Sequence, residues 1–250
     1  LLRAARQSHR QKTTTTKPTP TRIVAKHRSA LPAGLAEPTA AALSRALSDE
    51  TNAALRRLQA EPAAKNLDSD DCLRALLARE WDYAAALETV SAMVEWKSSH
   101  PSPIEPADVP VTLRMKAFLP GGVARDGSAV LAGYLERWFP AKYDWDEHVR
   151  FINHIFRASL KRSRTDRFVF LFDMSGWNLL RHASPHSIRI IFSLVRLVHV
   201  EFAERVGVCL CLSTPAAFQY VWKLIVPLIE PRIASRVHLL GDDWGDIVEA

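Results

Sequence analysis

The sequence predicts an α/β protein in which a mixed β-sheet is flanked by helices and preceded by a small all-α domain. Before residue 100, apolar residues recur at the three- and four-residue spacing of helices. Beyond residue 110, short apolar stretches alternate with amphipathic stretches of helical length, which is typical of strands covered by helices. A segment with four prolines, residues 100–110, separates the two parts.

The first 38 residues are predicted to be a basic, disordered tail. Eight of the 33 Lys and Arg side chains lie in residues 1–36, which contain no acidic residue, so residues 37–250 carry 25 basic and 27 acidic side chains. This Thr-rich tail has too little apolar surface to fold alone. It is interpreted as a solvated linker, an organelle-targeting segment or an anchor for anionic lipid headgroups. The body has no basic patch with interleaved aromatic residues, so we expect no nucleic-acid partner.

Residues 39–105 are predicted to form the helical domain. Its first helix lies within residues 39–60, where Ala, Leu and charged residues recur at helical spacing. In LDSDDCLRALLARE (67–80), Asp residues precede an apolar face, which is a common start of a helix. A third helix is expected from Asp82 to about Ser98.

Residues 106–250 are predicted to form the α/β domain. Short runs rich in apolar residues indicate strands, and longer amphipathic runs indicate the helices between them. In chain order we expect strands at 113–119 and 129–135 around the turn-rich segment GGVARDG, a helix within 143–164, a strand at 167–173, a helix at 185–203, and strands at 206–213 and 236–241.

The stretch TPAAFQYVWKLIVPLIEP, residues 214–231, is too apolar for a helix with one solvated face. Apolar side chains lie on nearly every face, and Gln219 and Lys223 are the clear polar interruptions. Such a helix must be buried on both sides or cover something apolar. Its apolar runs are shorter than the roughly 20 residues that cross a bilayer, and Pro227 interrupts them. We therefore expect either an ordinary core helix or a lid over an apolar ligand.

The residue patterns do not indicate catalysis. Ser175 and Ser213 follow predicted strands, but neither lies in a Gly-x-Ser-x-Gly nucleophile turn. DMSGW (173–177) lacks the glycine patterns that cradle phosphates or dinucleotides, and the nine histidines include no metal-ligand spacing. The three cysteines have neither metal nor disulfide spacing, which indicates a reducing compartment. We therefore expect no enzyme activity, no metal and no cofactor.

Several motifs occur in an order that is typical of one protein family. FAERVGVCLCLSTPAAFQYVWKLIVPLIEPRIASRV (202–237) contains aromatic-x-Glu-Arg-x-Gly, an apolar strand, small-Pro-x-x-Phe, an aromatic helix that ends at a proline, and a basic residue before the next strand. DDCLRALLAREWDYAAALETVSAMVEWKSSHP (70–101) has the family's N-terminal helical pattern, and DMSGW has its Asp-x-x-Gly. From about Leu67 to Gly241, the chain thus resembles the CRAL-TRIO lipid-binding family of phosphatidylinositol, tocopherol and retinaldehyde carriers.

The resemblance implies a hydrophobic lipid cavity beside the sheet, closed by a mobile gate helix. The gate corresponds to about Pro215–Arg236, and we call these residues the gate segment. The side chains expected to form the cavity and the gate are Phe218, Val221, Trp222, Ile225, Ile229 and Ile233. The resemblance also implies lipid headgroup contacts by Arg79, Glu204 and Arg236, and guanidinium groups suit phosphate.

Some positions depart from the family pattern. Glu80 reverses the charge found in members that transfer phosphatidylinositol, and Ile233 cannot make the hydrogen bond of their Thr. Glu204 and Arg236 are equally well interpreted as a structural ion pair. Family members continue after the last strand into a closing segment that this sequence does not match. Either that segment lies outside this sequence or this domain has diverged from the family.

The resemblance implies a non-enzymatic protein that binds a hydrophobic ligand, such as the phospholipid phosphatidylinositol, and transfers it between membranes. The expected partners are that ligand and, transiently, a membrane surface. We expect a cytoplasmic monomer that is peripheral at membranes, and organelle targeting by the basic tail stays open. The alternative is a lipid-sensing or protein-docking module without transfer activity. Such a module would have a small cavity or one filled by side chains such as Trp177, Phe218 and Trp222.

Overall fold

The computed structural model describes residues 49–100, 106–142 and 144–245. The predicted basic tail, residues 1–38, lies outside these ranges, as do residues 101–105 of the proline-rich boundary.

The helical unit is built by two capped helices that pack on a third. It consists of α1 (Asp49–Gln59), a 3₁₀ turn (Pro62–Ala64), α2 (Ser69–Ala78) and α3 (Tyr83–Ser99). The carboxylates of Asp68 and Asp82 accept hydrogen bonds from backbone N–H groups in the first turns of α2 and α3. Leu58, Leu76 and Val90 are fully buried where the helices meet. The acidic residues therefore start both helices where the sequence predicts.

A five-stranded mixed sheet forms the centre of the second unit. The strands lie side by side in chain order, β1 antiparallel to β2 and every later strand parallel to its neighbour. They are β1 (Phe118–Val123), β2 (Ala129–Tyr134), β3 (Phe168–Asp173), β4 (Val206–Leu212) and β5 (Val237–Leu239). The helices of this unit are α4 (Pro110–Met115), α5 (Trp145–Leu160), α6 (Leu179–His182), α7 (Pro185–Val200), α8 (Phe218–Ile225) and α9 (Pro231–Ala234). This architecture confirms the predicted α/β class.

The prediction of a strand at residues 113–119 is wrong for most of that range. Pro110 occupies the first turn of α4, where its missing N–H would have no partner in any case. Lys116 adopts a left-handed conformation, with φ of 51°, and ends the helix. β1 then begins at Phe118 and includes residues 121–122, which the sequence pattern assigns to a turn.

The two faces of the sheet carry separate cores. On β3, Phe168 and Phe170 contact α5 through Phe156, whereas Val169 and Leu171 belong to a cluster on the opposite face. The pairing of β3 with β4 skips one residue, Gly207. A Cβ at Gly207 would lie 3.0 Å from the carbonyl oxygen of Phe168, so this irregular pairing favours glycine.

The gate segment is a series of short elements. α8 ends at Ile225, a 3₁₀ turn follows at Val226–Leu228, and α9 begins at Pro231. Pro227 has no N–H for a further helical hydrogen bond, so the α-helix cannot continue through it. α8 therefore ends just before Pro227.

The helical unit and the sheet unit share buried contacts. Ala203, which precedes β4, packs in the helical core. Arg74 of α2 is 1% exposed and pairs with Asp71 and, at 3.0 Å, with Asp166 before β3. Burial would raise the pKa of Asp71, but Lys97 and Arg74 hold it below its ordinary value. The division into domains 39–105 and 106–250 stays a prediction.

Candidate functional site

A cavity of about 250 Å³ lies between the sheet, α7 and the gate segment. Apolar side chains from all five strands and from α5 form its floor: Phe118, Leu131, Ile152, Phe156, Phe170, Phe172, Val206, Cys209, Cys211 and Val237. The irregular pairing at Gly207 places Cys209 and Cys211 on this face with Val206. Without the extra residue, strict alternation would direct Val208 and Leu210 to this floor instead.

The two thiols in the floor behave as apolar groups. Cys209 and Cys211 are free and buried. A hydrogen bond with Cys211, together with burial, raises the pKa of Cys209 well above its ordinary value. Because the thiolate is the nucleophilic form, Cys209 is not a reactive thiol.

One face of α7 forms a wall of the cavity. Ile191, Leu194, Val195, Val198 and His199 line it at the spacing i, i+3, i+4, i+7 and i+8 of a single helical face. The sequence pattern predicts this helix at residues 185–203, but none of its residues was predicted to line a cavity. The apolar spacing of these residues was the one sequence signal for the wall. That spacing is the same whether the helix face meets a cavity or a filled core.

The gate segment forms the opposite wall. Five of the six residues predicted for the cavity and gate line it: Phe218, Trp222, Ile225, Ile229 and Ile233. Trp177, which follows β3, meets Phe218 edge to face, with 5.3 Å between ring centroids.

Val221, the sixth predicted residue, is not among the side chains that line the cavity. It directly precedes Trp222, so its side chain points about 100° away around the helix. Val221 is partly exposed.

The outer face of the gate segment is apolar and exposed. The exposed fractions of Tyr220, Leu224 and Leu228 are 73%, 74% and 56%. These residues recur every four positions and form one stripe. An exposed apolar stripe of this kind marks a surface that meets another apolar surface.

The aromatic side chains around the cavity leave it open. Trp177, Phe218 and Trp222 contribute to its walls, and about 250 Å³ remains between them. A cavity of about 150 Å³ holds benzene, so this space holds on the order of ten carbon atoms with the gate segment in the observed position.

Arg79, predicted to contact a headgroup, lies outside the cavity lining and connects α2 to the gate segment. Its guanidinium pairs with the Glu230 carboxylate at 2.7 Å and donates a hydrogen bond to the Thr89 hydroxyl at 2.9 Å. About a third of the Arg79 side chain is exposed. Its role as a headgroup contact stays a prediction.

Glu204 and Arg236 form the ion pair of the alternative interpretation, with 3.6 Å between Oε2 and Nη2. Arg236 is buried and donates to the Val206 carbonyl oxygen at 2.6 Å, and Arg232 also pairs with Glu204, at 3.3 Å. Neither Glu204 nor Arg236 lines the cavity. Their headgroup role also stays a prediction, and the sequence analysis overlooked Arg232.

The cavity lining carries no Lys, Arg, Asp or Glu within the described ranges. His199 is its one titratable side chain besides the thiols. Burial lowers the pKa of His199; the Glu230 charge opposes this effect and the Arg79 charge adds to it. The imidazole is therefore neutral at neutral pH. This lining suits an uncharged, hydrophobic ligand portion.

In residues 49–100, 106–142 and 144–245, His, Cys, Asp and Glu form no group of three or more with the arrangement of a metal site. None of the helices described there combines the length and the apolar composition that a bilayer crossing requires.

Comparisons with known proteins relate the chain to one family. Residues 113–249 match the family described as "CRAL/TRIO domain". "CRAL-TRIO domain-containing protein T23G5.2" of Caenorhabditis elegans is 23% identical over 212 residues, which cover 77% of this chain and 29% of that protein. Human "Alpha-tocopherol transfer protein-like" is 26% identical over 189 residues, covering 73% and 55%. The chain thus spans roughly a third to half of these relatives.

A solved structure shares the fold. The "Crystal structure of Sfh5" aligns with a TM-score of 0.63, covering 79% of this chain and 82% of that one, at 11% sequence identity. At this identity the likeness supports the fold alone.

Proposed function

The chain belongs to the CRAL/TRIO domain family, whose members typically bind or transfer lipids, and from this premise we propose that it is a non-enzymatic carrier of a hydrophobic ligand. The ligand is sequestered between the sheet and the gate segment and moves between membranes. The observation that supports this most directly is the unfilled apolar cavity whose outer wall is the gate segment. We also propose that the protein is a cytoplasmic monomer that meets membranes transiently.

The energetics require such an enclosure. Leaving an acyl chain of about sixteen carbons in water costs on the order of 10 kcal/mol. A carrier keeps the chain dry, and exchange between a bilayer and an apolar cavity is nearly balanced because both environments are apolar. The gate segment has the two faces that this exchange needs, since Trp222 faces the cavity while Leu224 faces outward.

The volume of the cavity implies movement of the gate segment. A chain of about sixteen carbons exceeds the roughly ten carbon atoms that fit in the observed space. The gate segment is the wall best suited to move, because Pro227 interrupts it and its outer stripe lies against no other part of the described protein. We propose that loading displaces this segment outward.

The finer proposal is that the ligand is a phospholipid such as phosphatidylinositol. Its acyl chains would occupy the uncharged cavity, and its phosphate would lie outside the cavity lining, near Arg79. Arg79 is the most accessible of the three predicted headgroup residues and would exchange Glu230 for phosphate. Arg79→Gln should then reduce loading of phosphatidylinositol more than loading of an uncharged lipid, and Arg125→Gln, at an exposed loop position, provides the matched control.

The carrier function is tested by lipid extraction and a transfer assay. The purified protein is extracted with organic solvent, the extract is analysed by mass spectrometry, and transfer of a fluorescent phospholipid between vesicles is followed. Val195→Trp fills the cavity from α7 and should lower the transfer rate at least tenfold, while Val123→Trp on the surface of β1 should not. Circular dichroism verifies that both variants fold.

The outcomes separate carrier from sensor. Stoichiometric lipid with transfer that depends on residue 195 supports the carrier. Bound lipid without any transfer supports the lipid-sensing module. Neither lipid nor transfer in the wild-type protein refutes the carrier.

A further inference from the structure

His199 has a buried polar atom with no partner in the part of the chain that the structure describes. Its Nε2 is inaccessible to solvent and makes no hydrogen bond there. The residue lies on the α7 face that lines the cavity, one turn beyond Val195. A buried nitrogen without a partner is destabilising, and such groups in folded proteins call for an explanation.

The structure shows how a purely structural histidine is arranged in this protein. His182 is almost fully buried, and its Nε2 lies 3.1 Å and 3.0 Å from the carbonyl oxygens of Leu135 and Trp138. Nε2 of His199 has no comparable backbone partner; the same holds for Nε2 of His186, but of these two residues only His199 lines the cavity. Nor is there room for a water molecule against this nitrogen, because its surface is inaccessible to solvent.

His199 also marks one end of the cavity. Ile229, which lines the same cavity, is followed directly by Glu230 of the surface ion pair with Arg79, and the charges of both residues influence the pKa of His199. Its other surroundings in the cavity are aliphatic and aromatic. The residue therefore lies where the apolar cavity meets the polar surface.

We propose that His199 Nε2 hydrogen-bonds an uncharged oxygen of the ligand once loading has displaced the gate segment, and so determines which part of the ligand stops at this end of the cavity. The ligand is an amphiphile whose hydrocarbon fills the cavity and whose first polar atom, a hydroxyl or an ester carbonyl oxygen, meets the neutral imidazole. A neutral ring both accepts from a hydroxyl and donates to a carbonyl, depending on its tautomer. The proposal rests on the carrier function and adds the chemistry of the ligand's polar end.

The test compares ligands that differ by one oxygen function. Phosphatidylcholine vesicles containing 1-hexadecanol or hexadecane are incubated with protein, and protein-bound ligand is quantified by mass spectrometry. In a parallel experiment, ester-linked phosphatidylcholine is compared with its ether-linked analogue, which has no carbonyl. The variants are His199→Leu, His199→Gln and, as a matched control on α5 outside the cavity lining, His154→Leu.

His199→Leu should weaken binding of the alcohol or of the ester lipid about tenfold, the effect of one buried hydrogen bond. Binding of the alkane and of the ether lipid should change less than about twofold, because those ligands have no such bond to lose. His199→Gln should restore most of the lost affinity, and His154→Leu should have no effect. Selective loss of the alcohol identifies a hydroxyl, and selective loss of the ester lipid identifies a carbonyl.

Equal losses for the oxygen-bearing ligands and their counterparts would overturn the proposal, as would no loss for any ligand. Those results would leave the carrier function intact, because the wild-type protein would still bind. If the wild-type protein binds none of the four ligands, the role proposed for His199 fails, while the carrier function is decided separately by the extraction and transfer assay.

Discussion

The ion pair between Arg79 and Glu230 should hold the gate segment closed. Glu230 directly follows Ile229, which lines the cavity just after the 3₁₀ turn of the gate segment. Its partner Arg79 caps the C-terminal end of α2 in the helical unit. Arg232 adds a second tie, since its guanidinium donates to the Leu77 carbonyl oxygen at 2.6 Å. Outward movement of the gate segment would have to break contacts of this kind.

The effect of removing one tie follows from its exposure. The Arg79 and Glu230 side chains are 35% and 26% exposed, so solvent screens their attraction, and the pair contributes about 0.5–1 kcal/mol. Glu230→Gln should therefore raise the population of the open gate about two- to fivefold.

Hydrogen exchange measured by mass spectrometry tests this expectation. Exchange of peptides covering residues 218–229 should accelerate by about that factor, because exchange requires local opening. Exchange of β4 should not change, and Glu95→Gln, an exposed position on α3, should leave both regions unchanged. Unchanged exchange of the gate segment in Glu230→Gln, or equal acceleration in β4, would refute the reasoning.

Two further predictions concern the membrane contact and the buried histidine. Leu224→Asp should lower vesicle binding about tenfold or more in a sedimentation assay, because burying a leucine side chain in the membrane contributes about 1.5–3 kcal/mol. As the control, Val123→Asp, at an exposed position on β1, should bind vesicles like the wild type. Burial, with a smaller effect of the His186 charge, lowers the pKa of His148 from 6.5 to about 3. The unfolded chain therefore binds more protons between these values, and the free energy of unfolding should fall as the pH drops below 6.5, by up to about 1.4 kcal/mol per pH unit. In urea titrations, His148→Phe should lose this component of the pH dependence, and an unchanged dependence would contradict the assignment.

Much of the fold follows from local sequence signals. Asp68 and Asp82 start α2 and α3 because their carboxylates bind free N–H groups of the first turn. Pro227 ends α8 because it has no N–H. The family resemblance also located five of the predicted cavity side chains, whereas Val221, one residue before Trp222, does not line the cavity.

Other features depend on contacts between distant segments. The strand expected at 113–119 gives way to α4, because the N–H groups of Val111 and Thr112 in its first turn donate to the Glu147 carboxylate, 36 and 35 positions away. The skipped residue at Gly207 depends on pairing between β3 and β4, and that pairing decides that Cys209 faces the cavity. The apolar pattern of β4 does not show which of its residues is skipped in the pairing. The apolar pattern of α7 does not show that its face meets a cavity.

By itself, the sequence determined the α/β class, the order of its principal elements and the apolar character of the gate segment, because caps, prolines and periodicity act within a few residues. Tertiary structure decided where charge and polarity lie around the cavity. Arg79 meets Glu230, Arg236 turns to the Val206 carbonyl oxygen, and His199 Nε2 is left without a hydrogen-bond partner among the described residues. The reason is physical: the partner of a charged or polar group is chosen by distance in the folded chain, and those partners lie up to 151 positions apart in sequence.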